Sequence, residues 1–284
     1  MPSLIKISLS TAACLFLAWL MVVACMFVFQ RKLMYLPDTN PLPPPRVFGV
    51  DTLERISLMT KDGLRLQAFY MPAQTEDTGT IVLFHGNAGH IGHRVAKAAI
   101  YHLFGVGVLL VEYRGYGGND GTPTEEGLYT DGRAAMDFLT KEKNLPPEKI
   151  AIYGESLGSG VAVQMATEYD AAALILETPF SSTAAVASAI YPFIPARLLL
   201  KDRYDNIAKI RNIKPMPVLI VHGTEDGVVP FTEGEKLFEA AAQPKRFIPI
   251  EGGNHNNLYD FPQTGTEIGA FLRQQGIFRL FQKK

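Results

Sequence analysis

The sequence Gly-Glu-Ser-Leu-Gly at residues 154–158 follows a short apolar run at residues 149–153. The run predicts a buried strand, and the five residues have the Gly-X-Ser-X-Gly pattern of a sharp turn from a strand into a helix. Such a turn exposes the serine hydroxyl, and the two glycines leave space that a Cβ atom would fill. Because the pattern also arises by chance in glycine-rich chains, its interpretation depends on the surrounding sequence.

Apolar runs and helix-length stretches alternate along most of the chain. This alternation is typical of an α/β fold, in which helices cover both faces of a mostly parallel sheet. Asp62-Gly63 between the first two strands predicts a hairpin, and hence an antiparallel edge at the N-terminal side. The predicted strands cover residues 56–60, 64–71, 80–84, 106–111, 149–153, 173–176, 218–221 and 246–250, and the predicted helices cover residues 91–104, 124–143, 156–169, 231–242 and 264–275.

Residues 7–29 are apolar and uncharged, which predicts one transmembrane helix at the N-terminus. As a helix the run extends about 34 Å, enough to cross a hydrocarbon core of about 30 Å. Cleavage before Cys25 as a lipoprotein signal is the alternative, although the apolar run continues beyond that residue. Basic residues flank both ends, so the side of the membrane stays open. We expect residues 1–32 to be an anchor that contacts the lipid bilayer through residues 7–29.

The segment that follows the anchor is rich in proline. Residues 38–45 contain four prolines, so residues 33–50 are predicted to form a stiff, extended linker. The α/β domain then covers residues 51–284. If the anchor only tethers this domain, removal of residues 1–32 will release a soluble, active protein.

Composition excludes several classes of function. The net charge is −1, so no basic surplus favours a nucleic-acid partner. Both cysteines, Cys14 and Cys25, lie in the apolar run about 16 Å apart along a helix, too far for a disulfide bond. The glycines at residues 115–121 resemble a nucleotide-binding loop, but Asp120 stands where that motif requires glycine. We expect no metal ion and no cofactor.

Two loops near the carboxyl end follow predicted strands and carry an acid and a histidine. Asp226 follows the strand at residues 218–221, and His255 follows the strand at residues 246–250. Together with Ser156 they give the chain order serine, aspartate, histidine that is typical of one large class of hydrolases. Asp226 is favoured as the acid because it precedes a glycine in a turn, and Glu225 and Glu177 are the alternatives.

The other histidines have less specific surroundings. His85 and His222 each precede a glycine directly after a strand, so we interpret them as residues that stabilise turns. His90 and His93 have the spacing of a metal-binding pair, but no suitable third ligand lies nearby in the sequence. The loop at residues 85–89 is either an ordinary turn or, next to the serine, a source of backbone N–H groups for an oxyanion.

With these motifs in place, the chain resembles the α/β-hydrolase superfamily. More narrowly, it is similar to the membrane-anchored "alpha/beta hydrolase domain-containing" branch, which is related to serine aminopeptidase-like hydrolases and protein depalmitoylases. The resemblance implies that Ser156 is the nucleophile, Asp226 the acid and His255 the base, with the backbone N–H groups of Asn87 and Leu157 as the oxyanion hole. The matching stretches are residues 29–37, 85–89, 113–117, 121–125, 154–158, 178–180 and 222–226.

The resemblance also implies an inserted lid, which is short in this chain and falls within residues 181–213. The apolar run at residues 184–200 is expected to line an acyl pocket, to contact the bilayer or to pack as a core helix. We therefore expect a membrane-tethered serine hydrolase that cleaves esters or thioesters through an acyl-enzyme. Its substrate would be a small-molecule or lipid acyl group or an acylated protein, and the alternatives are a serine peptidase and a non-catalytic binding protein.

Overall fold

The computed structural model describes residues 2–278, with side chains described from Ser10 onward, so the outer ends of the predicted anchor and domain lie outside the described residues. Ten strands are present in this part of the chain. They are β1 (Leu36–Pro37), β2 (Glu54–Met59), β3 (Arg65–Met71), β4 (Thr80–Phe84), β5 (Ala88–Gly89), β6 (Gly107–Val111), β7 (Ile150–Glu155), β8 (Ala173–Glu177), β9 (Val218–Gly223) and β10 (Lys245–Ile250).

Nine α-helices accompany these strands in the described residues. They are α1 (Pro2–Met34), α2 (Val95–His102), α3 (Glu125–Asp137), α4 (Leu157–Glu168), α5 (Thr183–Ile190), α6 (Ala196–Leu199), α7 (Asn206–Ile210), α8 (Phe231–Ala240) and α9 (Pro262–Gln274). Three of them, α3, α5 and α7, begin at a residue whose side chain caps the helix. At the start of α3, for example, the Thr124 hydroxyl accepts a hydrogen bond from the Gly127 N–H, and two glutamates occupy the first turn.

Eight of the strands form one sheet in the order β10-β9-β8-β7-β4-β6-β3-β2. Pairing is parallel from β10 to β6 and antiparallel where β3 meets β6 and β2. Alternate side chains enter cores on opposite faces: in β4, Val82 and Phe84 pack on one face, and Ile81 and Leu83 on the other. The predicted fold class, a mostly parallel sheet with antiparallel N-terminal edge strands and helices on both faces, is confirmed.

The secondary structure differs from the sequence prediction in several places, and the predicted helix at residues 124–143 is one of them, because it continues beyond α3 as a π-helix, Phe138–Glu142. The predicted helix at residues 91–104 begins as a 3₁₀ turn, Ile91–Arg94, before α2. The short helices α5, α6 and α7 were not predicted individually, and they form most of residues 181–213, which we call the lid. The two-residue strands β1 and β5 pair with each other in a small separate sheet, and nothing in their local sequence indicates this pairing.

The proline-rich segment at residues 33–50 packs along the domain and is not a free spacer. Leu36 in β1 pairs with Ala88 in β5, and the Gly117 N–H donates to the Asp38 carbonyl at 2.7 Å. Leu42 is buried. The predicted extended linker thus contacts the domain along its length, and the glycine-rich turn that resembles a nucleotide-binding loop contacts this segment.

Helix α1 contains a stretch, Ser10–Met34, that is long and apolar enough to cross a membrane. Its second half also contacts the lid. The Trp19 indole N–H donates to the Phe193 carbonyl at 2.9 Å, and Arg31 makes two hydrogen bonds to the Asp202 carboxylate, at 2.8 and 3.1 Å. From Trp19 onward α1 therefore packs on the lid, and the release of a soluble, active protein by removal of residues 1–32 stays a prediction.

Candidate active site

Ser156 lies at the turn between β7 and α4 with φ 49° and ψ −116°, a backbone conformation that residues other than glycine rarely adopt. The glycines on either side allow the chain to turn so sharply. A Cβ atom on Gly154 would lie 2.6 Å from the Ala162 Cβ, and one on Gly158 would lie 2.0 Å from the Phe84 carbonyl oxygen. The strained turn positions the Ser156 hydroxyl at the carboxyl end of the sheet, where ligands bind in such folds.

The close contact between Gly158 and β4 predicts that a larger residue at this position will destabilise the fold. In Gly158→Ala the new methyl would collide with backbone atoms of β4, which cannot move without displacing the sheet, so we expect severe destabilisation or failure to fold. Gly269→Ala is the matched control, because Gly269 lies within α9 and, apart from its chain neighbours and the backbone of that helix, no atom lies within 4 Å of the place that its new methyl would occupy. Helix propensity predicts that this control is stabilised by roughly 0.5–1 kcal/mol. Thermal unfolding of both variants is the measurement, and equal melting temperatures would contradict the steric argument.

A chain of hydrogen bonds joins the three residues that the sequence analysis singled out. His255 Nδ1 lies 2.7 Å from Asp226 Oδ2, and His255 Nε2 lies 2.9 Å from Ser156 Oγ. Because an ionised carboxylate only accepts hydrogen bonds, Nδ1 carries the ring proton and Nε2 of the neutral imidazole accepts from the serine hydroxyl. This arrangement can remove a proton from Ser156 as its oxygen attacks a carbonyl carbon.

Asp226 is held by its own turn. Its Oδ1 accepts from the N–H groups of Val228 and Val229, each at 2.8 Å. His222 Nε2 lies 3.2 Å from Asp226 Oδ2 and 3.1 Å from the Val229 carbonyl oxygen, so His222 stabilises the turn as expected. Burial opposes ionisation of Asp226, but the hydrogen bonds from His222 and His255 outweigh it and hold the pKa of this carboxyl well below its usual range.

The two alternative acids have other surroundings. Glu225 is exposed. Glu177 accepts a hydrogen bond from Lys97 at 2.8 Å and another from the Tyr153 hydroxyl. Of the three carboxylates weighed from the sequence, the structure thus places Asp226 against His255.

The loop at residues 85–89 is fixed from several sides. The buried His85 contacts Glu112 through Nε2 at 2.9 Å, and Glu112 also accepts from the Ile91 N–H at 2.9 Å. The Asn87 side chain accepts from the Leu36 N–H at 3.1 Å, and the Tyr116 hydroxyl donates to the Asn87 carbonyl at 2.9 Å. Glu112, which directly follows β6, therefore helps to hold the loop beside Ser156.

An ion-pair network lies behind the serine turn and was not found in the sequence. Glu155, the residue before Ser156, contacts Arg94 and Lys97, each at 2.7 Å, and Lys97 also contacts Glu177 at 2.8 Å. Burial opposes ionisation of Glu155, but the two cations hold the pKa of its carboxyl well below its usual range. The network joins α2, β7 and β8, which fixes the backbone on which Ser156 stands.

His90 and His93 lie side by side, and the structure adds a third group that the sequence analysis did not identify. The ligand atoms of Asp38, His90 and His93 all lie within 4.8 Å of one another. His90 Nδ1 accepts from the Gly92 N–H at 3.0 Å, so the proton of its neutral ring is on Nε2, which faces the Asp38 carboxylate at 3.7 Å. Because Nδ1 accepts from the backbone and Nε2 carries the proton, this tautomer offers no free lone pair to a metal ion. No third ligand lies nearby in the sequence, and the structure brings one, Asp38, from a distant part of the chain. The absence of a metal stays a prediction.

Ser156 opens into a cavity of about 330 Å³, which we call the Ser156 cavity. Its lining is mostly apolar. It comes from the serine turn with Leu157, from Asn87 and Phe180, from Val228 and Val229 of the Asp226 turn, and from two facing walls. One wall is the lid and the other is α1. The lid residues include Val186, Ile190 and Ile194, and the α1 residues include Val23, Met26 and Gln30.

Comparison with known proteins places the chain in a family of hydrolases. The sequence profile of the family described as "Serine aminopeptidase, S33" matches residues 75–204. An uncharacterized protein of Mycobacterium tuberculosis is 39% identical over 259 residues, which are 90% of this chain and 92% of that protein. Protein bem46 of Schizosaccharomyces pombe is 31% identical and covers 84% of each chain. The chain belongs to the serine aminopeptidase S33 family of α/β hydrolases.

Solved structures place this hydrolase among proteins of the same fold. The esterase Pf2001 of Pyrococcus furiosus superposes with a TM-score of 0.68 at 17% identity, covering 84% of this chain and 98% of that protein. A puromycin-hydrolyzing peptidase of Mycobacterium tuberculosis superposes with a TM-score of 0.66 at 22% identity, covering 80% of this chain and 40% of that protein. At these identities the likeness concerns the fold, and the chemistry has to be argued from the site.

Proposed function

We propose that this protein is a membrane-tethered serine hydrolase that cleaves carboxylic esters or thioesters through an acyl-enzyme. The observation that carries the proposal is the hydrogen-bonded chain from Ser156 through His255 to Asp226 at the floor of an apolar cavity. A serine on a strained turn that opens into a cavity, beside an oriented imidazole, is the arrangement that makes a hydroxyl nucleophilic near neutral pH.

In the proposed reaction, Ser156 Oγ attacks the substrate carbonyl carbon while His255 Nε2 takes the hydroxyl proton. Asp226 keeps the imidazole in the required tautomer and stabilises the imidazolium that forms. His255 then gives the proton to the departing alcohol or thiol, which leaves an ester on Ser156. A water molecule repeats the sequence in the second half-reaction and releases the acid.

The negative oxygen of each tetrahedral intermediate needs hydrogen-bond donors that are already in place. We propose the backbone N–H groups of Leu157 and Asn87 for this role. Leu157 is the first residue of α4, where the helix dipole also favours negative charge. Asn87 is the loop residue that lines the same cavity as Ser156, and its position is fixed by Leu36 and Tyr116.

The family description and the peptidase neighbour make amide hydrolysis the second candidate function. An aminopeptidase needs an acidic group near the nucleophile to hold the free amine of its substrate. Among the described residues, those that line the Ser156 cavity include no aspartate or glutamate. The apolar lining instead suits an acyl group, and this favours ester or thioester hydrolysis.

We further propose that α1 remains attached and anchors the domain to a membrane. Its length and composition support a spanning helix. Its contacts with the lid through Trp19 and Gln30 lie on both sides of Cys25, so cleavage before Cys25 would remove part of this contact. The boundaries of anchor, linker and domain at residues 1–32, 33–50 and 51–284 are retained within this proposal.

A substrate panel tests the proposed reaction. The full-length protein in detergent micelles is assayed with p-nitrophenyl butyrate, butyryl-coenzyme A and an aminoacyl p-nitroanilide. We expect the wild type to hydrolyse both the ester and the thioester, and the Ser156→Ala variant to hydrolyse neither. Faster cleavage of the anilide would favour the peptidase, and a folded protein that cleaves none of the three would favour a binding protein.

A further inference from the structure

We infer that α1 forms one wall of the acyl-binding site and that the Ser156 cavity takes a long acyl chain which enters from the membrane leaflet beside α1. This inference rests on the proposed function and specifies its substrate class. Helix α1 was interpreted from the sequence as an anchor. Here it also contributes directly to substrate selection.

One face of α1 is turned toward the lid. Trp19, Val23, Met26 and Gln30 are spaced by four, three and four residues, which places them on one side of a helix. These residues are half-buried, whereas Val28 on another side is 66% exposed. We call these four residues the α1 stripe. A helix that only tethered the domain would have no reason to bury one face against it.

We call the line of contact between the α1 stripe and the lid the seam. Polar contacts join α1 to the lid near each end of the seam. The Trp19 indole N–H donates to the Phe193 carbonyl at 2.9 Å. Near the other end, the Lys201 N–H donates to the Gln30 side-chain oxygen at 2.7 Å, and the Gln30 amide donates to the Leu199 carbonyl at 3.4 Å. Between these contacts Val23 and Met26 face the cavity that reaches Ser156.

The seam has the dimensions of a membrane leaflet. Trp19 and Gln30 are eleven residues apart, which corresponds to about 16 Å along a helix, and one leaflet of hydrocarbon is about 15 Å thick. The outer side of the lid is also apolar, since Phe193 is 57% and Leu198 is 79% exposed. If α1 spans the bilayer, this part of the lid lies in the leaflet, and a chain in that leaflet runs parallel to the seam.

The chemistry of the cavity defines the occupant. Ser156 at its floor requires a carbonyl carbon, and the apolar walls require a hydrocarbon chain attached to that carbonyl. At about 330 Å³ the cavity is at the lower end of the volumes that usually hold small-molecule ligands. This volume limits the occupant to a single acyl chain, with its alcohol or thiol portion outside the cavity. The length of the contact along α1, about 16 Å between Trp19 and Gln30, is what indicates a long chain.

The test compares acyl-chain lengths in variants of the α1 stripe. Met26→Trp fills part of the cavity, and Val28→Trp introduces the same side chain on the exposed side of α1 as the matched control. Full-length proteins in nanodiscs are assayed with p-nitrophenyl palmitate and p-nitrophenyl butyrate. We expect Met26→Trp to lower kcat/KM for palmitate by about tenfold or more, with butyrate changed by less than about twofold. Val28→Trp should match the wild type with both esters.

Two results would overturn the inference. One is an equal effect of Met26→Trp on both esters, and the other is no effect on either. If the wild type cleaves neither ester, the proposed function fails. The role of α1 is then tested by the binding of a fatty acid to the Ser156 cavity. For that purpose a diazirine-bearing fatty acid is crosslinked to the same proteins in nanodiscs. Crosslinks at Val186 or Ala187 that are lost in Met26→Trp and kept in Val28→Trp support the cavity, and their absence from the wild type contradicts it.

Discussion

Replacement of Ser156 by alanine is expected to reduce kcat by on the order of 10⁶ for the best ester substrate, because the serine, histidine and aspartate act as one unit. The hydroxyl is the atom that forms the acyl-enzyme, so no neighbouring group restores the reaction. Residual turnover would come from the oxyanion donors and from binding alone. Steady-state kinetics on the full-length protein, with the fold monitored by thermal unfolding, make the measurement.

Ser159→Ala is the matched control for this variant. Ser159 is buried one turn further along α4, and its hydroxyl has no hydrogen-bond partner among the described residues. Its removal should leave kcat nearly unchanged. Near-normal turnover in Ser156→Ala, or equal losses in the two variants, would contradict the assignment of Ser156 as the nucleophile.

Asp226→Asn has the second largest expected effect, a decrease in kcat of about 10⁴ by analogy with the same change in a serine protease. The amide keeps the shape of the side chain but can donate a hydrogen bond, so His255 would be held in the wrong tautomer. Glu225→Gln makes the same chemical change on the neighbouring, exposed residue and should retain full activity. A larger decrease in kcat in Glu225→Gln than in Asp226→Asn would show that Glu225, and not Asp226, is the acid that acts on His255.

The same variant makes a prediction for stability against pH. The folded state lowers the pKa of Asp226, so its ionised form stabilises the fold. That contribution is fully present above the ordinary carboxyl pKa of about 3.9 and is lost as the pH falls further. The melting temperature of the wild type should exceed that of Asp226→Asn at pH 7, and the difference should narrow at pH 3. A difference that widens on acidification would contradict the direction of the shift.

The parts of this protein that sequence reasoning predicted well are those with a local signature. Each buried strand is a continuous apolar run, and the serine turn carries its own glycines because a Cβ atom at Gly154 or Gly158 would collide with backbone or packed side chains. Asp226 and His255 were selected because they follow strands whose carboxyl ends meet at one edge of the sheet. These inferences needed no knowledge of distant contacts.

The contacts that were missed join residues far apart in the sequence. Lys97 is paired with Glu155 and Glu177, and none of the three has a local pattern that indicates the others. Asp38 comes to His90 and His93 only because β1 pairs with β5. The packing of α1 on the lid could not be predicted for another reason. All sides of this helix are apolar, so the residues that it buries do not stand out as a hydrophobic face in the sequence.

The central claim is that Ser156 is an activated nucleophile, and labelling with a fluorophosphonate tests it most directly. The full-length protein in detergent micelles is treated with the probe, and the modified residue is located by mass spectrometry. The account predicts modification at Ser156 that is lost in His255→Ala, because without the base the hydroxyl is not activated. A folded wild-type protein that reacts elsewhere or not at all, or equal labelling in His255→Ala, would contradict it.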